Sequence, residues 1–400
     1  MDKINKLGDG IISECYKKSI SLLLNNSGNY GSLASAPSKK AKQRNYLSIF
    51  GRDASICSLG MVASKNTKLI ALAEKSLKNL AAYQAKNGQI PNYIKPKIKT
   101  ADFWYLGCID ATLWWLIAIN FFDKYSGKKT LLKNELRINI TKAISWLESR
   151  EHQKFYLLEQ NEASDWADIM PRSGYVLYSN VLWFWVKKLY KVKTLNQTKE
   201  NLNFIFHPWQ KISQNYFNKN YRAKKLIKYI KSGNKKLPHY LSFVNYSFWG
   251  EETDVYANLL ACLLDLPSKK LNTNIIDFLQ KEKGGSPLPI KSCFNLIKEN
   301  SKLWRSYMTE HEQNYPEQYH NGGIWPFIGC LWPMLIYKNG NKNKAWRELK
   351  KVAEANKLNN WEFNEWLHGK TGEPLGMHGQ TWNAGMFILT YHYLNNEIKI

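Results

Sequence analysis

Three stretches of the chain concentrate side chains able to do acid–base chemistry on a hydroxyl-rich ligand. In Ser164–Gly174 two acids, Asp165 and Asp168, stand three residues apart, with Trp166 between them and Pro171 and Arg172 beyond. A carboxyl group at the mouth of an aromatic-lined pocket loses solvation of its charged form. Its pKa rises, and it can then hold a proton near neutral pH, as a general acid must. In Trp361–Gly372, Glu362 and Glu365 lie among Trp361, Phe363 and Trp366, and this packing favours Glu365 as a buried, positioned carboxylate. The third stretch is Tyr319–Pro326. Its glycine pair, Gly322 and Gly323, lets backbone approach a ligand closely; His320 and Asn321 can bond hydroxyls, and Trp325 offers a stacking face. Each residue type also has a plain structural use. Either aspartate can cap a helical turn, Glu365 can be satisfied by Lys370 or a backbone amide, and Trp325 can be core. A paired-carboxylate glycosidase that inverts configuration needs an acid and a water-activating base roughly 6.5–9.5 Å apart. Two acidic motifs distant in sequence, each embedded in aromatics, meet that demand and point to Glu365 paired with Asp168 or Asp165.

Such loops need a rigid scaffold. Apolar residues at spacings of three and four predict helices over Lys68–Gln84, Ala111–Tyr125, Lys133–Leu147, Tyr178–Leu189, Asp254–Leu264, Ile324–Tyr337, Asn343–Asn356 and Thr381–Leu394. Clean two-residue alternation is scarce, so the chain reads as all-α, with about a dozen helices. Small, polar and aromatic clusters fall at helix ends, among them Phe50–Asp53, Gly107–Asp110 and Trp361–Gly385. No short repeat suggests a solenoid. No linker divides the chain, so residues 45–400 read as one catalytic domain preceded by an N-terminal extension, 1–44. The Lys/Asn-rich stretch Asn215–Lys236 reads as a surface excursion.

Composition narrows the class further. The 400 residues are 44% hydrophobic and 14% aromatic, enough for a large core. The formal charge of +25 raises the question of nucleic acid, but the excess is mostly Lys distributed over many segments. The reading is therefore no nucleic-acid partner and no membrane, with a small carbohydrate as the partner. Six cysteines stand far apart without CxxC or zinc-ligand spacing, so no metal and no cofactor is expected. Neither a secretory signal nor an apolar run of membrane-spanning length is visible, which reads as cytoplasmic. Oligomeric state leaves no mark in the sequence.

The motifs together resemble the (α/α)6-toroid glycosidases, above all the alkaline/neutral invertases of glycoside hydrolase family 100, with kinship to family 63 and to amylo-α-1,6-glucosidase-like proteins. The resemblance runs through Tyr319–Pro326, Trp361-x-x-x-Glu365 with Gly372, and Gln380-Thr381-Trp382-Asn383-Ala384-Gly385. Nearer the N-terminus it includes Arg52-Asp53, Gly88–Pro91 and Asp110-Ala111-Thr112-Leu113-Trp114-Trp115. It covers roughly residues 45–395 in order. It implies a six-hairpin toroid with Asp168 as general acid, in an Asp-x-x-x-Arg pattern completed by Arg172, and Glu365 as general base. It further implies that Arg52, Asp53 and Asp110 hold glycosyl hydroxyls, with Gln380 and Trp382 nearby, and that Asp254 and Asn258 form an acid-and-Asn pair on an inner helix. Around Asp168 the invertases carry Met-Ile-Asp-Arg-Arg and His-Pro-Leu-Glu-Ile-Gln, whereas this chain has Trp-Ala-Asp-Ile-Met-Pro-Arg and Val-Leu-Tyr-Ser-Asn. Divergence is therefore expected on the leaving-group side. The implied activity is inverting hydrolysis of an α-glucosidic bond in a small sugar, sucrose-like or glucosylglycerate-like. An amylo-α-1,6-glucosidase-like debranching activity, or a phosphorylase or epimerase on the same toroid, is the alternative.

Overall fold

The computed structural model describes residues 10–103, 108–233 and 235–400. The first nine residues of the expected extension, and Gly107 of the Gly107–Asp110 cluster, lie outside the described residues. Outer and inner helices alternate along the chain. They are α1 (Gly10–Asn25), α2 (Gly51–Ala63), α3 (Thr67–Ala82), α4 (Ile109–Tyr125), α5 (Arg137–Ser149), α6 (Leu177–Tyr190) and α7 (Leu195–Phe206). An additional helix, α8 (Tyr221–Gly233), precedes α9 (Val255–Leu263), α10 (Lys269–Lys283), α11 (Leu331–Lys338), α12 (Lys342–Trp361) and α13 (Thr381–Leu394). The inner helices α2, α4, α6, α9, α11 and α13 pack each on the next, and α13 returns to α2, closing a ring. This is the (α/α)6 toroid.

Side-chain pattern explains which helices stand inside. Along α9 every residue is buried, as is nearly every residue of α2 and α13. A helix apolar or small all round must be surrounded by protein. The outer helices bury one stripe each: α3 uses Leu69, Ala73, Leu77 and Leu80, and α10 uses Leu271, Ile275 and Leu279. Their exposed starts are capped by side chains, with Asn66 accepting from two amides of α3 and Ser268 from Leu271 of α10. Where inner helices touch most closely, glycine is required. A Cβ on Gly60 of α2 would stand 2.0 Å from the Gly385 carbonyl of α13.

Residues 10–44, set apart in the sequence as an extension, supply the sixth outer helix. α1 packs on α12 and α13, burying Cys15 and Leu23. The chain beyond it is tied to the start of α13: Asn26 Nδ2 donates to Gly379 O and Thr381 Oγ1, and Thr381 N donates to Ala34 O. Short strand pairs precede the inner helices. Ile49–Phe50 joins Tyr93–Lys95 before α2, Gly174–Val176 joins Phe243–Val244 before α6, and Thr253–Asp254 joins Cys293–Phe294 before α9. The functional loops are thereby pinned at the N-terminal ends of the inner ring.

Candidate active site

At that end lies a recessed cavity of about 270 Å³. Arg52, Asp53, Asp165, Trp166 and Asp168 line it, and His320, Trp325, Glu365 and Trp382 complete the set expected from sequence. Asp168 and Glu365, 197 positions apart in the chain, face one space.

Glu365 is nine-tenths or more buried and held from both sides. Tyr46 Oη donates to its Oε1 at 2.5 Å, and the Met377 amide donates to Oε2 at 2.9 Å. Burial lifts its pKa to about 7, opposed by these two donors. Gly376 makes the arrangement possible: its φ is +81°, and a Cβ there would stand 2.5 Å from Glu365 Oε2. Asp168 differs. Its recessed position raises its pKa to about 6; Arg52 opposes the shift, and Asp165 and Asp110 reinforce it. Half of its side chain nevertheless meets solvent inside the cavity (50% exposed). Part of the desolvation is thus felt only when a guest displaces that water. His320 Nδ1 stands 4.0 Å from Asp168 Oδ1, and burial keeps the imidazole neutral by pushing its pKa down.

Asp165 serves the architecture of the loop. Its Oδ1 accepts from the Ala167 amide and its Oδ2 from Gln160 Nε2, both at 2.8 Å, which sets the turn that presents Asp168. Arg52 Nη1 sits 3.4 and 3.3 Å from the two oxygens of Asp110, its Nε lies 3.5 Å from Asp53, and its guanidinium lies 5.9 Å from the Trp382 ring centre. The aromatic wall is interlocked: Trp166 meets His320 and Trp325 edge-on, and Trp382 stacks on Phe327 at 4.0 Å. Among the described residues Trp166 Nε1, His320 Nδ1 and Trp382 Nε1 are buried without a hydrogen-bond partner. Each such atom costs ~1–3 kcal/mol.

Six residues expected to touch a ligand do not line the cavity. Asp110 lies beneath it, fully buried against Arg52 and Tyr178. Trp114 is core, its Nε1 donating to Tyr178 Oη. Arg172 pairs with Asp254 at 2.8 Å, and Asp254 also caps α9 through the Ala257 amide. Asn321 is consumed by Ile297 and Asn314. Gln380 is fully buried at the start of α13, and among the described residues neither of its amide atoms has a partner. Arg172 fixes the far end of the Asp165–Asp168 loop, and it stands beside Glu252 as well as Asp254. Arg172→Ala should destabilise the fold by about 3–5 kcal/mol, the cost of leaving buried carboxylates unpaired; a denaturant midpoint measures it.

Arg44, Tyr46 and Tyr93 fall in no sequence motif, and Phe50 and Tyr319 stand in motifs that do not single them out as ligand-binding residues, yet all five line the cavity. Arg44 comes from the stretch read as an extension, and Tyr46 follows directly on it. Backbone strain would have been invisible too. Trp361 (φ +67°), Phe363 (+48°) and Tyr319 (+40°) are non-glycine residues in the left-handed region, costing ~1–3 kcal/mol each. They flank Glu365 and His320 and are held by ladder bonds such as Glu365 N to Met377 O. A larger concavity, about 1180 Å³, opens beside Arg150, Lys154 and Arg222. It has no tryptophan, and its acids are engaged: Glu151 by Lys187 and Trp183, Glu159 by Tyr175, Glu162 by Arg305 and Tyr307. The two carboxyl groups with raised pKa that share one space are at the smaller cavity.

The fold is an (α/α)6 toroid with two carboxyl groups lining one cavity at the N-terminal end of its inner helices. Over 94% of the chain it superposes on 99% of a family 63 mannosylglycerate hydrolase from Thermus thermophilus in complex with glucose, with a TM-score of 0.60 and 12% identity. A glycosidase variant in complex with glucose gives 0.59 at 13% identity, over 99% of each chain. In sequence, the family model "Alkaline and neutral invertase" matches residues 253–397. Alkaline/neutral invertase C, mitochondrial, of Arabidopsis thaliana is 28% identical over 137 residues, 33% of this chain and 20% of that protein. Neutral/alkaline invertase 1, mitochondrial, of Oryza sativa subsp. japonica is 26% identical over 136 residues, 33% and 21% respectively. The match thus spans about a fifth of the length of these relatives. The family match includes Tyr319–Pro326 and the Glu365 loop and stops short of Asp168, where the motifs diverge. Among the described residues no helix is long and apolar enough to cross a membrane.

Proposed function

We propose that this chain is an inverting glycoside hydrolase cleaving an α-glucosidic bond in a small sugar. Asp168 protonates the departing oxygen, and Glu365 takes a proton from the attacking water. The observation that carries the reading is that these two carboxyl groups, both with raised pKa, line one tryptophan-walled cavity. Their environments divide the roles. Glu365 accepts from two fixed donors, which favours its anion and suits a base. Among the described residues Asp168 receives no side-chain donor, and it opens to solvent, as a proton donor to an incoming glycosidic oxygen should. A space of about 270 Å³ at the bottom of a closed ring suits one or two sugar rings and disfavours threading a polymer, so the attack is at a chain end or on a disaccharide-like glycoside.

The neighbour that binds glucose supports a hexosyl site at the bottom, among Arg52, Asp53 and Trp382. The invertase-like Glu365 loop supports water activation on that side, and the divergent Asp168 loop leaves the aglycone side specific to this chain. The test is a screen of purified protein on sucrose, glucosylglycerate and α-1,6-linked glucosides, with NMR of the first-formed anomer. Release of β-glucose is the expected result. Release of the α-anomer, or turnover only with added phosphate, would overturn it.

A further inference from the structure

Between Glu200 and Glu251 the chain holds no acid, while nine Lys and Arg fall between Lys211 and Lys236. In sequence this looks like dispersed charge. In the fold it becomes one face. Helix α8 turns Ala223, Leu226, Ile227 and Ile230 inward, so the opposite side presents Tyr221, Arg222, Lys224, Lys225, Lys228 and Tyr229. Tyr221 and Tyr229 are 60% and 44% exposed, and Tyr246, from the next loop, is 62% exposed and meets Tyr229 edge-on at 5.9 Å. Three exposed tyrosines are thus interleaved with cations; Lys225 lies over the Tyr221 ring, and Arg222 and Lys225 act electrostatically on Tyr246. Arg222 and Asn245 continue this face into the open 1180 Å³ groove, whose other cations are Arg150 and Lys154. Among the described residues none of Arg150, Lys154, Arg222, Lys224, Lys225 and Lys228 is in an ion pair, whereas the groove's three acids are engaged elsewhere.

We propose that the α8 face and the adjoining groove form a binding surface for single-stranded nucleic acid. Charge complementarity selects a polyanion. Exposed rings beside the cations supply platforms on which bases stack, and a groove leads the backbone away, the two features of sequence-tolerant single-strand binding. The alternative polyanion, an anionic bilayer, is disfavoured: the apolar stripe of α8 is packed into the protein core, leaving no aliphatic side chain of the helix to insert. The surface lies outside the sugar cavity and does not depend on the proposed hydrolysis.

The experiment is a fluorescence-anisotropy titration of the full chain with a labelled 15-nucleotide oligothymidylate between 50 and 200 mM salt. Saturable binding is expected, weakening with salt at a log–log slope of about −3, corresponding to about four neutralised phosphates at −0.7 each. The triple variant Lys224→Ala, Lys225→Ala, Lys228→Ala should flatten the slope by about 2. The double variant Tyr229→Ala, Tyr246→Ala should lose about tenfold in affinity and keep the slope. All five positions are solvent-exposed, and an unchanged thermal midpoint checks the fold. Binding unaffected by both variants would overturn the proposal. So would tyrosine-independent binding matched by polyglutamate, or tighter binding to phosphatidylserine vesicles than to the oligonucleotide.

Discussion

Asp168→Asn and Glu365→Gln are each expected to cut turnover by about a hundredfold or more, the usual contribution of a positioned general acid or base, and they should do so in distinguishable ways. A substrate whose leaving group needs no proton, such as α-glucosyl fluoride, bypasses the acid. On it Asp168→Asn should recover most of its loss, whereas Glu365→Gln, which removes the group that activates water, should stay impaired. Asp165→Asn separates the neighbouring candidate. Both Asp165 oxygens hold the loop, one accepting from the Ala167 amide and one from Gln160, so its loss should act through the placement of Asp168, with a smaller deficit on the glycoside than Asp168→Asn and the same recovery on the fluoride. Full activity of Asp168→Asn or Glu365→Gln on the natural glycoside would end the assignment. Equal deficits of Asp168→Asn on fluoride and glycoside would move the acid elsewhere.

What could be read in advance follows from which signals are local. The limits of Thr381–Leu394 are as expected, and α4 and α6 differ from expectation by one or two residues at their ends, because long apolar runs flanked by polar loops are local facts. Helix α2 escaped notice. Its Ser55, Ser58 and Gly60 sit among apolar residues with no stripe, since a helix buried on every side needs none. The Ile324–Tyr337 helix is split, a short turn over Pro326–Gly329 preceding α11, and residues 358–360 of α12 are not helical. The two carboxyl groups that share the cavity, Asp168 and Glu365, stood out because an acid close to tryptophan is unusual by composition alone. Which acids face the cavity was not legible. Asp110, Asp254 and Arg172 carry the same residue types as ligand-binding groups, and only the tertiary structure reveals that they lie beneath it, each in a buried ion pair. The role of Tyr46 depends on α1 and its following loop closing the ring beside Glu365, a contact across 319 positions.

The pH dependence carries the second large prediction. With Glu365 near 7 and Asp168 near 6, the singly protonated site is populated between those values, so kcat/KM should be bell-shaped with limbs at about 6 and about 7 and a maximum between them. Those limbs belong to the pair as a unit. Because Glu365 binds the proton more tightly, the productive form, with Asp168 protonated and Glu365 ionised, is about a tenth of that population, from a difference of about one unit. Tyr46→Phe removes a donor that favours the Glu365 anion, so the Glu365 pKa must rise, by about one unit for a hydrogen bond to a charged group. Two effects then follow together: the alkaline limb moves up from about 7, and the height of the bell falls about tenfold as the productive form becomes scarcer. A merely structural tyrosine would lower the bell without moving a limb. Substrate should act in the opposite sense on Asp168. Displacing the water that reaches its half-exposed side chain removes solvation from the carboxylate and raises its pKa toward that of Glu365. The productive fraction therefore grows in the complex, and the acid limb of kcat should lie above that of kcat/KM. Coincident limbs would mean that no water is displaced from Asp168 when the sugar binds, and the proton donor would then have to be sought on another wall of the cavity.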